Sequence, residues 1–221
     1  MTGNFDHYLD WYDKHVPFRS VQLNSHLETI RRRNQLDTAV AAATDSAFCR
    51  NLYRTLQTWG IGQRGSRLVS ESDFEKALAS VIPQLEKFDD ITIDGLTSNA
   101  EEVTAKLWAL MESLAIVENK SRLVPCSKTL HHLLTDLVVP IDREYTRTFF
   151  GLYTPEFQGH GLADGQRSVF TRIFGELIKI ARTTDPASHI KAGRPWRTST
   201  TKIIDNALVG FCMAEGLSRP S

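Results

Sequence analysis

The sequence predicts an all-α protein, a two-lobed helical domain. Three observations carry that expectation. Apolar residues recur at helical spacing along most of the chain: Phe74, Ala77, Leu78, Val81, Ile82, Leu85 and Phe88 follow an i, i+3, i+4, i+7 rule. Helix starts are written locally as S-x-x-E at Ser25 to Glu28, Ser72 to Glu75 and Ser98 to Glu101, where the hydroxyl caps a free amide and the carboxylate reaches back. No run of alternating apolar and polar residues reaches strand length, although Asp90 to Asp94 would suit a short extended link.

Taken in order, the stripes and caps place helices at 26–43, 46–58, 72–88, 99–115, 128–135, 142–152, 164–183 and 199–214. Leu107, Trp108, Leu110, Met111, Leu114 and Ala115 give the fourth its core face. Val169, Phe170, Ile173, Phe174, Leu177, Ile178 and Ala181 do so for the seventh, and Ile203, Ile204, Ala207, Leu208 and Phe211 for the last. Breaks are expected at Trp59 to Gly62, at Asp94-Gly95, at Val124-Pro125, at Val139-Pro140 and along Asp185 to Trp196. The chain reads as one helical unit, 1–221, with one lobe at 60–140 and the other made of 1–59 and 141–221.

Composition narrows the function classes. The 221 residues are 41% hydrophobic and 24% charged, as expected of a globular chain with a sizeable core. No stretch reaches the roughly 18 to 20 apolar residues of a membrane span, and the first fifteen residues are too acidic and polar for a secretory signal. A cytoplasmic protein without a membrane partner is expected. Three scattered cysteines, Cys49, Cys126 and Cys212, argue against a disulfide framework or a cysteine-rich metal centre. No cofactor motif is present, and the adjacent His131 and His132 point about 100° apart on a helix, which does not suit one metal. No metal, no cofactor and a monomeric state are therefore expected.

Lys and Arg total 26 and Asp and Glu total 26, so the whole-molecule basic footprint of many nucleic-acid binders is absent. A local one remains available. Arg31, Arg32 and Arg33 with Arg19 form one basic segment, and Arg182, Lys191, Arg194, Arg197 and Lys202 another. Brought together, they would form a phosphate-sized positive surface. The loop from Arg194 into the last helix adds Ser and Thr caps beside basic side chains, and Arg64, after the Gly60 to Gly62 turn, is a further candidate reaching into a cleft.

The most informative stretch runs from Leu123 to Thr146. Lys128 opens a short amphipathic helix, an apolar segment leads to Pro140, and Asp142 opens the next helix. If the segments fold back, an amine nucleophile and a carboxylate face one cleft. Asp142 also suits an N-cap, a role compatible with the first.

This arrangement resembles the helix-hairpin-helix DNA glycosylases, in which a hairpin delivers a lysine at a helix start and the chain continues through a Val-Pro-hydrophobic-Asp turn. The matching residues are Ser127-Lys128 and Val139-Pro140-Ile141-Asp142, and the resemblance runs from the helix around Leu107 to Tyr145. It implies an essential carboxylate at Asp142 and, in members that also cut the backbone through a Schiff base, a nucleophile at Lys128. It further implies DNA as partner, with Arg64, Ser127, Arg194, Arg197 and Lys202 as contacts, and an aromatic-lined base pocket drawn from Trp59, Trp108, Tyr145, Phe149, Phe150 and Trp196. The role would be base excision in DNA repair or in antiviral defence. The neutral net charge and the glycine-free segment from Ala115 to Ser127 leave a second reading open, a non-catalytic helical module that binds nucleic acid or a protein partner. A third is another hydrolase or lyase that pairs Asp142 with His131 or His132.

Overall fold

The computed structural model describes residues 1–62, 66–119, 121–152, 163–190 and 193–217. It is all-helical, with eleven α-helices and no strand among the described residues. An isolated antiparallel bridge pairs Leu68 with Val117. The helices are α1 (Phe5–His15), α2 (Ser20–Arg33), α3 (Ala39–Thr44), α4 (Ser46–Thr58), α5 (Glu71–Ser80), α6 (Ile82–Leu85), α7 (Ala100–Ser113), α8 (Leu123–Leu133), α9 (Tyr145–Phe149), α10 (Ala163–Thr184) and α11 (Thr200–Ala214). Among the described residues no helix is long and apolar enough to cross a membrane.

Several boundaries differ from the sequence expectation, each for a physical reason. The expected helix at 72–88 breaks after Ser80, because Pro83 has no amide to continue the ladder and sits instead in the first turn of α6. Its cap is Ser70, whose hydroxyl accepts from the Asp73 amide at 3.2 Å, two residues before the expected Ser72. The helix expected at 26–43 is two helices. Ser25 lies inside α2, and its hydroxyl donates to the Gln22 carbonyl at 3.1 Å. Thr38 then caps α3 by accepting from Ala41 N at 3.0 Å.

Helix α8 starts five residues before Lys128. Val124-Pro125 is its first turn and not a break, a position where proline's missing amide costs nothing. Helix α1, which the sequence analysis did not place, buries Phe5, Tyr8, Leu9 and Tyr12. That is helical spacing carried mainly by aromatic residues.

Two helices form the centre. From Leu123 to Leu133, every residue of α8 except Val124 is buried, and α11 is buried from Thr200 to Gly210. Helix ends without access to water need protein partners. The Gln166 side chain on α10 supplies them at the start of α8, accepting from Arg122 N at 3.1 Å and Leu123 N at 3.3 Å. Arg33 on α2 supplies one at its end, donating from Nε to the Leu133 carbonyl at 2.9 Å.

Helix α1 lies across α11, and the crossing depends on Gly210. A Cβ built there falls 2.1 Å from the Tyr8 carbonyl oxygen, which is backbone and has no rotamer to give way. Gly210→Ala is therefore expected to destabilise the protein by about 1–3 kcal/mol, as overpacking of a close helix contact does. Urea unfolding of the two proteins checks this, and an unchanged midpoint would mean that the crossing tolerates a wider separation.

Candidate active site

A cleft of about 320 Å³ opens where α1, α2, α8 and α11 converge. That volume is in the range of small-molecule sites. Aromatic side chains form much of its wall: Tyr12 from α1, Phe18 from the loop between α1 and α2, Trp59 from the end of α4, and Tyr145 from α9. The Trp59 indole is fixed by a hydrogen bond from Nε1 to the Gln22 carbonyl at 3.3 Å, and Gln22 Nε2 donates back to the Thr58 carbonyl at 3.3 Å.

Into this cleft the fold brings Lys128 and Asp142. The Lys128 ammonium donates to Asp142 Oδ2 at 3.3 Å and lies 5.4 Å above the Trp59 ring. Their side chains are 8% and 32% exposed, so the amine is sequestered while the carboxylate faces the cleft. Ser127 sets the register. Its fully buried hydroxyl accepts from Ile141 N at 3.0 Å and donates to the Val124 carbonyl at 3.0 Å, tying the residue before Asp142 to α8.

Asp142 Oδ1 in turn accepts from the amides of Glu144 at 2.6 Å and Tyr145 at 3.1 Å. The carboxylate thus acts as the cap of the turn into α9 as well as a wall of the cleft. Burial pushes its pKa up, but the Lys128 charge, those two amides and the Lys128 hydrogen bond outweigh burial and hold the carboxyl below its ordinary range.

A second charged pair lines the same cleft. Lys202, 1% exposed, donates to Asp205 Oδ2 at 2.5 Å and to Asn206 Oδ1 at 2.8 Å. It also sits 4.5 Å from the Phe18 ring and 5.9 Å from that of Tyr12. Burial pulls the Lys202 amine down and pushes the Asp205 carboxyl up, each partly opposed by the partner's charge. For this coupled pair the direction is toward neutrality on both sides, driven by desolvation.

Behind Lys128 lie three buried histidines whose tautomers follow from their neighbours. His132 Nδ1 is 2.8 Å from the Lys128 carbonyl, which only accepts, so that nitrogen carries the hydrogen. His132 Nε2 then accepts from His26 Nδ1 at 3.0 Å, and His26 Nε2 accepts from the Thr198 hydroxyl at 3.2 Å. His131 Nδ1 faces the Val138 carbonyl at 3.0 Å, which leaves Nε2 as a bare lone pair with no partner among the described residues. All three are neutral rings. Burial, with the neighbouring histidines and Lys202, holds His26 and His131 well below the ordinary range. Burial, followed by the charges of Lys202 and Lys128 and opposed by the Lys128 carbonyl, brings His132 down to about 4. Among the described residues no group of three or more His, Cys, Asp or Glu side chains is arranged to hold a metal.

Arg19 and Lys202, one from each expected basic segment, both line the cleft, but other arginines of those segments are bound inside the fold. Arg197, only 5% exposed, donates from NH2 to Asp13 at 2.8 Å, and Arg194 Nε meets the same carboxylate at 3.2 Å. Arg32 pairs with Asp45, and Arg33 binds main-chain carbonyls of Leu133 and Leu36. Burial thus turns Ser127, Arg197 and Lys202, expected as DNA contacts, into internal partners. Arg194 keeps a half-exposed side chain, while Arg64 and Lys191 lie outside the described residues. Of the expected pocket aromatics, Trp59 and Tyr145 line the cleft; Trp108 packs against Phe170, and Phe149 against Phe150 and Phe211. Trp196 Nε1 donates to Asp13 at 2.7 Å.

Tyr12, Phe18 and His26 are site residues that sequence reasoning missed. The aromatic spacing of α1 was available as a signal for Tyr12, whereas nothing local marks Phe18 or His26.

The histidine cluster makes stability depend on pH. In the unfolded chain these rings protonate near 6.5, whereas in the folded chain they stay neutral to lower pH, so the unfolded state binds more protons in between. Their stabilising contribution is full above pH 6.5 and is expected to decline as pH falls toward about 4. Thermal unfolding between pH 7.5 and 5 should show the midpoint falling, with a shallower fall in His132→Gln; identical slopes would mean that His132 does not carry the dependence. No family model, curated protein or solved structure matches this chain, so its function has to be read from the cleft.

Proposed function

We propose that the protein is a DNA glycosylase-like enzyme that cleaves the N-glycosidic bond of a damaged or modified base, in DNA repair or in antiviral defence. The observation that carries this reading is the Lys128 ammonium held 3.3 Å from Asp142 at the wall of an aromatic-lined cleft of about 320 Å³. It agrees with the sequence resemblance of Ser127-Lys128 and Val139 to Asp142 to the helix-hairpin-helix DNA glycosylases.

Breaking an N-glycosidic bond develops positive charge on the sugar. A carboxylate that stays ionised lowers that barrier, and one fixed in place needs no reorganisation when the charge appears. Asp142 meets both conditions: three donors hold it, and its pKa is below the ordinary range. In the hydrolytic route water attacks C1′, the C1′–N bond breaks, and the base departs with a proton as the sugar gains a hydroxyl. In the lyase route Lys128 Nζ, after giving one proton to solvent, forms the bond to C1′ as the C1′–N bond breaks; a second amine proton leaves with the departing base, and Asp142 stays ionised. The resulting aminal opens to the imine that leads to strand cleavage. A base buried in a duplex must first be extruded, and Phe18 and Trp59 offer ring faces against which an extruded base can pack. Arg194, and Arg64 outside the described residues, are the phosphate contacts in this reading.

The test is base release from a broad panel of DNAs that includes naturally modified viral genomes. Asp142→Asn keeps the shape and the capping ability of the side chain, so its fold should persist while release falls about a hundredfold or more. Lys128→Ala should abolish strand cleavage. Full activity in Asp142→Asn would overturn the proposal. The internal pairing of Arg32, Arg33 and Arg197 takes positive charge away from a DNA surface, and the second reading is a helical module that binds a partner, nucleic acid or protein, without chemistry. That reading is supported if no substrate releases a base while salt-sensitive DNA binding is retained.

A further inference from the structure

Three carboxylate residues line the cleft, Asp142, Glu144 and Asp205, and the two aspartates are not equivalent. Both oxygens of Asp142 are in use, Oδ2 by Lys128 and Oδ1 by the amides of Glu144 and Tyr145. Asp205 is engaged only through Oδ2, by Lys202; among the described residues no donor reaches Oδ1. Its side chain is 12% exposed and that surface belongs to the cleft, whereas Lys202 beside it has 1% left.

Lys202 itself is saturated. Its ammonium has three hydrogens, and Asp205 Oδ2, Asn206 Oδ1 and the face of Phe18 take them, with the Tyr12 ring farther off. Asn206 cannot turn away, because its Nδ2 donates to the Trp196 carbonyl at 2.9 Å and thereby keeps Oδ1 toward the lysine. An ion pair sunk this deeply usually stabilises no better than apolar side chains of the same volume. What this pair achieves is orientation, a carboxylate locked at one oxygen on the wall of an aromatic-lined cleft.

We infer that Asp205 is a specificity-determining residue of the cleft, whose Oδ1 accepts a hydrogen bond from the ring N–H of a lactam-type base, with Lys202 as the positioning residue that fixes it. This rests on the reading that the cleft takes a nucleobase. An acceptor oxygen that no protein donor engages calls for a donor on the ring edge. The carbonyl beside a lactam N–H finds donors in the same cleft, because Lys128 has hydrogens beyond the one given to Asp142. A ring methylated at that nitrogen both removes the donor and places a methyl against a buried carboxylate, and a site built around a hydrogen bond rejects such analogues strongly.

The experiment measures calorimetric binding of two matched nucleoside pairs to the full chain, uridine against 3-methyluridine and inosine against 1-methylinosine. The parent of at least one pair should bind about ten- to a hundredfold more tightly than its methylated form, the range for a hydrogen bond to a charged group. In Asp205→Asn, and in the Lys202→Met/Asp205→Leu double variant that leaves no unpaired buried charge, that gap should shrink to about twofold or less. The double variant keeps the test decisive if the single one folds poorly. Absence of a gap in both pairs, failure of all four nucleosides to bind, or a gap that survives in the double variant overturns the inference. The assay needs no bond cleavage, so a gap without base release from DNA would leave the recognition standing and remove the proposed chemistry. Release without a gap would do the reverse.

Discussion

Helix α8 has almost no face to water, and the rest of the site follows from that constraint. A buried helix cannot leave its terminal amides and carbonyls or its polar side chains to solvent, so each must find a protein partner. Gln166 and Arg33 close its two ends. Ser127 binds Ile141 N, and Lys128 binds Asp142, so the turn from Pro140 to Tyr145 is pulled onto the helix at two consecutive positions. His132 reaches back to the Lys128 carbonyl and forward to His26, which anchors α2 to the same helix. The cleft is the space left between these attachments, and its position is set by them.

The energetic character of the cleft is that of a site rather than of a core. Two lysines, an arginine, two aspartates and a glutamate line one small aromatic-walled cavity, where desolvation opposes the charges of Lys202, Asp205 and Asp142 and pairing offsets part of that cost. Apolar residues of similar volume would fill the same positions with less penalty. Strongly perturbed titratable groups grouped in a cleft are the usual mark of a functional site. The two aspartates illustrate how environment separates like groups: Asp142, with three donors, is held below the ordinary carboxylate range, whereas desolvation pushes Asp205 above it against the opposing charge of Lys202.

The pairing of Lys128 with Asp142 was legible because both residues sit in one short segment, with Pro140 marking the turn that lets the chain double back. The internal pairing of Arg194 and Arg197 was not legible, for the opposite reason. Arg194 and Arg197 look unopposed in their own stretch, yet their partner is Asp13, about 180 residues away on α1. The same distance hid Tyr12 and Phe18, which reach the cleft only because α1 crosses α11 at Gly210. Lys202 and Asp205 are three residues apart and visible as a pair, but an i, i+3 ion pair on a helix is ordinarily solvated surface. Only the packing around α11 makes it a buried one.

The sequence alone determined the helical content, the lack of any apolar helix long enough to cross a membrane, and the placing of Lys128 and Asp142 near one another. Those features depend on spacing within a few turns, where propensity, capping and proline geometry act locally. The tertiary structure decided which charges lose their water, which arginines are spent on internal partners, which histidine nitrogens carry hydrogen, and which aromatic rings wall the cleft. Burial is a property of what packs around a residue, and the neighbours that bury Lys128, Lys202 and His26 come from helices far apart in the chain.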